Sequence, residues 1–246
     1  MPDPALLLLA FFLPLFPFSI GFNALYARLS HPGLRLGLLL LWPVLGIGLY
    51  RSLNPDIPAW VMPWAIATAL LYAFRLVAMR EVGRWTGFLA TSIWACLWPA
   101  AVYAGDHLIL YALGFGVPLA ILALLVAGLE QRFGAAYTDL YGGLALTVPR
   151  LSGVLVVAIL AATATPLFPG FFVMIDILVG SDPRVAIALV ALWGLWSWAG
   201  ARLIQGLIVG HVPERAVEDI SLIDAWLAAF AFLALVVAGI LLLGGV

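Results

Sequence analysis

The chain is 246 residues long, 65% apolar and 9% charged, with a formal net charge of −1 and a mean hydropathy of +1.17. Water-soluble domains carry about 25% charged residues, so this composition excludes one, and a balance so close to neutral excludes the basic footprint of a nucleic-acid-binding protein. The lone cysteine, Cys96, sits in an apolar run and offers neither a disulfide framework nor a thiolate metal site.

The pattern predicts an all-α polytopic membrane protein with about nine spans, at about 5–27, 34–50, 59–79, 86–104, 107–129, 150–165, 168–180, 185–210 and 220–244. The first reads as a span rather than a signal peptide, because its leader carries Asp3 instead of basic residues and no small-residue cleavage site follows. Pro14 and Pro17 are expected to kink it. Asn54-Pro55-Asp56 and Ser181-Asp182-Pro183 are turns by composition. The longest polar interval, 130–149, is too short for a separate soluble domain. The span at 168–180 covers roughly 20 Å at about 1.5 Å per residue, short of the ~30 Å hydrocarbon core. Pro166, Pro169 and Gly170 therefore predict a discontinuous helix near 165–170, an unwound connection housed by protein rather than by lipid.

All eleven basic side chains are arginine. Alternating loops place Arg28, Arg35, Arg75, Arg80, Arg84, Arg132, Arg150 and Arg184 on one side, and Arg51, Arg202 and Arg215 on the other. The positive-inside rule makes the first side cytoplasmic, and nine crossings then put the N-terminus outside and the C-terminus inside. Trp60, Trp64 and Trp85 fall near span ends, where aromatic belts form. Trp193, Trp196 and Trp198 fall mid-span and read as packing residues.

An ionisable group at membrane depth needs a partner or a function. Asp176 is the strongest candidate, about a turn from the cytoplasmic end of its span, with Arg150 and Arg184 opening the spans on either side. An ion pair of Asp176 with Arg150 or Arg184 is expected, either structural or one station of a proton path. Asp224, facing the same way as Ile220, is a second, partly buried acid. Glu130 and Arg132 read as facing headgroups, Arg202 as snorkelling, and Asp106-His107 and Glu218-Asp219 as loop and helix-start charges. His31, His107 and His211 lie at loop edges far apart in sequence. No nucleophile elbow, phosphate loop, dinucleotide fingerprint or metal-ligand cluster occurs, so no catalytic residue, metal or cofactor is expected on this chain.

Tyr141-Gly142-Gly143-Leu144, then Val148-Pro149 heading an apolar helix, then Pro166-x-Phe168-x-Gly170-Phe171-Phe172 and Asp176-Ile177-Leu178 carry a resemblance. In order and spacing they resemble the proton-conducting antiporter-like subunits of respiratory complex I, Mrp cation/proton antiporters, membrane-bound hydrogenases and the DAB-type inorganic-carbon accumulation complexes. The likeness covers about 105–210 and implies one antiporter-like helical repeat there, with 1–104 as N-terminal helices outside the alignment and 211–246 as a C-terminal helix. Two departures matter. The family's Ser-Lys-Asp-Glu run is replaced by Val173-Met174-Ile175-Asp176, and its His-x-x-x-Lys pair falls on Gly116 and Ala120, with Pro118 between them.

A broken-helix scaffold without its titrating lysines is, on this resemblance, an accessory subunit. Its expected place is a bacterial inner-membrane hetero-complex, beside a full-length cation/proton-translocating subunit and a peripheral catalytic one. In the inorganic-carbon setting the resemblance implies a zinc-bearing partner that hydrates CO2, coupled to a cation gradient. A small homodimeric cation/proton transporter and a pure membrane anchor for a peripheral enzyme are the rival readings.

Overall fold

The computed structural model describes residues 4–104, 107–138, 142–210 and 217–242. Asp106, Tyr141, His211 and Arg215 lie outside the described residues. The described chain is helical throughout: α1 (Pro4–Phe12), α2 (Ser19–Arg28), α3 (Pro32–Leu53), α4 (Val61–Ala78), α5 (Val82–Ala95), α6 (Leu97–Tyr103), α7 (Leu108–Phe133), α8 (Leu144–Thr147), α9 (Pro149–Ala162), α10 (Pro169–Gly180), α11 (Pro183–Ile208) and α12 (Leu222–Leu242). Local chemistry sets the boundaries. His31 and Asp182 accept backbone N–H bonds at the starts of α3 and α11, each followed by proline at the first helical position. Asn54 and Gly134 take left-handed conformations where α3 and α7 end.

Six helical stretches are long and apolar enough to cross a membrane: α3, α4, α5 with α6, α7, α11 and α12. The four shorter helices α1, α2, α9 and α10 make two further crossings, each broken in the middle. Side-chain contacts show the direction of travel. Trp193 of α11 meets Phe171 of α10, and seven residues on a Cβ at Gly200 would lie 3.0 Å from Thr163 and 3.5 Å from Ile159 of α9. So α11 runs back past α10 and then α9, and these two continue in one direction. In the same way α3 passes Leu29, then Phe22, then Phe12 and Leu13, so α2 prolongs α1.

The nine apolar segments are therefore present as helices, but the stretches at 150–165 and 168–180 are halves of a single crossing. Among the described residues this gives eight passages, with Pro4 and Leu242 on the same face. The loss of one reversal also corrects the arginine map. Arg184 now shares a face with Arg51, while Arg202 joins the other seven. Its position is fixed by Gly206, where a Cβ would lie 2.9 Å from Thr138, whose N–H donates to Arg80 O. Among the described residues the split is Arg28, Arg35, Arg75, Arg80, Arg84, Arg132, Arg150 and Arg202 against Arg51 and Arg184.

Both breaks carry the same tetrapeptide, Pro14-Leu15-Phe16-Pro17 and Pro166-Leu167-Phe168-Pro169, on crossings of opposite direction. Prolines stop each helix by removing donors, which leaves carbonyls that hydrocarbon would not satisfy. Tryptophans satisfy several of them. At the first break the indoles of Trp42, Trp98 and Trp64 donate to the carbonyls of Phe11, Leu13 and Phe16, at 3.3, 3.0 and 2.6 Å. Thr68 accepts the Phe16 N–H. At the second, Trp193 donates to Ala164 O at 3.0 Å. The hydroxyl of Thr163 donates to Ile159 O and Leu160 O, and that of Thr165 to Leu160 O. The tryptophan reading changes accordingly: Trp64 and Trp193 cap broken backbone, and Trp85, expected in an interfacial belt, is wholly buried.

Around these crossings α5 and α6 form the buried centre of the bundle, while α12 leaves most of its large side chains exposed and packs mainly against α9 and α10 among the described residues.

Candidate functional site

The second break and the acid beyond it form the site that the sequence pointed to. Residues 163–168 are irregular, and within them Ala164 (φ 57°) and Leu167 (φ 82°) occupy left-handed backbone, a costly choice for non-glycine residues. Pro169 opens α10 at its first position, where no N–H is missed. Gly170 is needed because a Cβ there would lie 3.1 Å from the Phe115 ring of α7 and 3.3 Å from Ala164 Cβ. The break is thus held against α7 through Gly170 and against α11 through Trp193, with Ala164 buried between them, while Pro166 and Leu167 are exposed.

Asp176 lies nearly two turns into α10 and is half-buried. Its observed partner is neutral: the hydroxyl of Tyr111, in the first turn of α7, donates to Asp176 Oδ2. The expected arginine partners are elsewhere. Arg150 is exposed at the start of α9, on the opposite face from Asp176, where its N–H donates to Asp219 Oδ2 at 2.8 Å and its guanidinium to Ile220 O at 3.2 Å. Arg184 is exposed, with its N–H donating to Asp182 Oδ1 at 2.9 Å. The continuation of α9 into α10 explains the difference, because it carries Asp176 across the bundle and away from Arg150. The face assigned to Asp176 changes with it, to the arginine-poor one. His107 lies beyond Tyr111 on that face, with ring centroids 6.3 Å apart.

Asp224 is exposed rather than partly buried, and it shares a reciprocal cap with Ser221 at the start of α12: Ser221 Oγ donates to its carboxylate and accepts its N–H.

A second ionic centre sits on the arginine-rich face. Glu130, expected among headgroups, accepts from Arg35 Nη1 at 2.8 Å, with side chains 29% and 12% exposed. Arg35 Nε also donates to Leu29 O at 2.6 Å, and its guanidinium lies 5.9 Å from the Tyr26 ring centre. Nearby, Glu81 pairs with Arg84 and accepts from Tyr137. Sequence reading missed the Arg35–Glu130 pair because its members are 95 residues apart. The available signal was that each stands one turn inside a long apolar helix, on the same side of the membrane.

On the arginine-poor face, Tyr103 donates to Asp182 Oδ2 at 2.8 Å, and the Val185 and Arg184 amides donate to Oδ1. These bonds, Tyr103 foremost, hold the Asp182 carboxyl below the usual carboxylate range. A depressed pKa contributes stability above the unfolded value, near ~3.9, and loses it as pH falls through the folded value. A carboxyl 13C NMR titration of Asp182 in micelles should give a midpoint below the ordinary one, moving up in Tyr103→Phe. An unchanged midpoint in that variant would remove the tyrosine from the account.

Comparison with solved structures places this arrangement. A chain of respiratory complex I from Thermus thermophilus matches with a TM-score of 0.81 and 20% identity, over 96% of this chain and 53% of that one. At that identity the likeness is one of fold. A chain of the Mrp complex from Dietzia sp. DQ12-45-1b matches with a TM-score of 0.73 and 18% identity, over 85% of this chain and 42% of that one. A chain of the membrane-bound sulfane sulfur reductase, an archaeal respiratory membrane complex, gives 0.76 and 16%, over 93% and 50%. The chain thus spans about half the length of each of these. No protein-family model matches the sequence, and no curated protein does. The complex I likeness extends well beyond 105–210 and takes in the N-terminal helices too.

Proposed function

We propose that this chain is an accessory, non-pumping membrane subunit of an ion-gradient-coupled hetero-complex, packed beside a full-length cation/proton-translocating subunit. One observation carries the reading. Along α7, Tyr111, which holds Asp176, and Glu130 are 19 residues apart, about 28 Å at 1.5 Å per residue. Between those levels the described residues supply hydroxyls and indoles but no Asp, Glu or His side chain, the chain has no lysine, and the Arg75 guanidinium, 4.7 Å from the Phe88 ring centre, is a fixed cation and no proton relay. A proton crossing that interval has no titratable station, and a bare charge in hydrocarbon is costly. Asp176 and Tyr111 then fasten α10 to α7 rather than relay protons.

The arginine-rich face is the cytoplasmic one on the positive-inside rule, and the membrane is the inner membrane of a bacterium. Among the settings of this fold we favour inorganic-carbon accumulation, with CO2 hydration on a separate zinc-bearing peripheral subunit. Its support is the family resemblance, which is fold-level analogy. The chain itself carries no reaction and no cofactor in this reading.

Half-length coverage favours one rival, a homodimer in which two copies restore the length of the matched chains. Native mass spectrometry of the particle purified from its own host decides between them. A hetero-complex is expected; a homodimer that moves protons or sodium in proteoliposomes would overturn the accessory role. In the intact complex, Asp176→Asn should leave assembly normal and coupled flux within about twofold, a barrier change under ~0.5 kcal/mol. A tenfold loss of flux with normal assembly would place Asp176 on the ion path.

A further inference from the structure

A groove of about 590 Å³ opens on the arginine-poor face, where α4 begins, α6 ends and α11 begins. Two opposite charges stand at its rim, Asp182 and Arg184, both exposed. The Arg184 guanidinium forms no ion pair with Asp182 or with another carboxylate among the described residues. The bonds that Asp182 makes are to neutral donors, the Tyr103 hydroxyl on Oδ2 and the amides of Arg184 and Val185 on Oδ1. They leave part of the carboxylate's capacity, about four acceptor positions, open. Below the rim the walls are apolar and accessible: Val102 of α6 is exposed, and Met62 and Ile66 of α4 and Ala188 of α11 are half-buried. Ile66 lies about 7.5 Å beyond the start of α4 at 1.5 Å per residue, so the apolar wall continues inward from the charges.

We propose that this groove binds a phospholipid with a zwitterionic, primary-amine headgroup, phosphatidylethanolamine. Its phosphate lies on Arg184, its ammonium on Asp182, and its first acyl carbons along Met62, Ile66, Val102 and Ala188. Separate charges of both signs match a headgroup that carries both, whereas an anionic lipid brings no cation to Asp182. A primary ammonium fits better than a quaternary one, because Asp182 accepts hydrogen bonds and only the primary ammonium has N–H groups to donate. The apolar wall contributes only to a ligand with a tail. The site requires only that the chain spans a membrane, whichever complex it serves.

Native mass spectrometry of the full chain from mixed micelles tests this, with phosphatidylethanolamine, phosphatidylcholine and phosphatidylglycerol in competition. Phosphatidylethanolamine should be retained in preference to both others. Asp182→Asn keeps a capping side chain for α11 and should erase the advantage over phosphatidylcholine, about fivefold for one exposed charge pair. Arg184→Gln should weaken retention of these two lipids by a similar factor, because they share the phosphate. Arg51→Gln, an exposed arginine on the same face but outside the groove, should change neither. Equal retention of phosphatidylethanolamine and phosphatidylcholine by the parent, an unchanged preference in Asp182→Asn, or an equal loss in Arg51→Gln would overturn the site. Preferential retention of phosphatidylglycerol would show an anionic-lipid site, and displacement by millimolar phosphoethanolamine a site for the free headgroup; either result overturns the assignment.

Discussion

Replacing Glu130 with glutamine should destabilise the bundle by about 2–3 kcal/mol, near the lower end of the range for breaking a buried ion pair, because both partners keep some exposure. The loss falls mainly on Arg35. Its guanidinium would remain beside the Tyr26 ring and Leu29 O with no counter-charge, in a region too confined for water to replace the carboxylate fully. The pair joins α3 to α7, which pack together extensively, and Gly83 of α5 approaches closely enough that a Cβ would lie 3.1 Å from Glu130 Oε1. Removing the carboxylate thus disturbs three helices at once. Substituting both residues, Arg35→Met with Glu130→Met, should recover most of the loss, since two matched apolar side chains leave no orphaned charge. Thermal unfolding in mild detergent over the double-mutant cycle checks this. A coupling under about 0.5 kcal/mol would reduce the pair to an ordinary surface contact.

Apolar run length made the helices legible, and Pro166, Pro169 and Gly170 made the second break legible. Whether the two short runs around that break turned back or carried on was not, because hydropathy is the same for a hairpin and for a discontinuous helix. That one ambiguity misplaced Arg184, Arg202 and the face of Asp176 together. At Pro14 and Pro17 the sequence suggested a kink; the larger interruption depends on Trp42, Trp64 and Trp98, from three other crossings, accepting the role of donors. Charge matching could not find Tyr111, since a neutral hydroxyl gives no sign to match. Nor could it find Glu130 and Arg35 as partners before α3 and α7 were known to be neighbours. The resemblance drawn from 141–178 pointed to the right fold, while the geometry of its acid had to come from the packing of α10.

Trp196→Ala should be the more damaging core substitution, costing about 3–5 kcal/mol, the range for deleting a large buried aromatic ring. In lipid the hydrophobic drive between helices is weak, so packing contacts carry the association and a cavity is felt directly. Trp196 is wholly buried and joins three helices to α11. Its indole N–H donates to Ser92 Oγ of α5 at 2.9 Å, and that hydroxyl donates onward to Ala69 O of α4 at 2.8 Å. Its ring meets Phe115 of α7 edge-on, with centroids 6.2 Å apart, and Phe115 is the residue against which Gly170 rests. The cavity would therefore open behind the second break and loosen α10 as well as α11. Trp196→Phe separates the contributions: it keeps a ring against Phe115 and loses one hydrogen bond, for a smaller cost of about 1 kcal/mol. Thermal unfolding should rank the two variants in that order, and limited proteolysis should cut the 163–168 connection faster in Trp196→Ala than in the parent. Equal losses in the two variants would assign the stabilisation to the indole N–H and leave the ring a spectator.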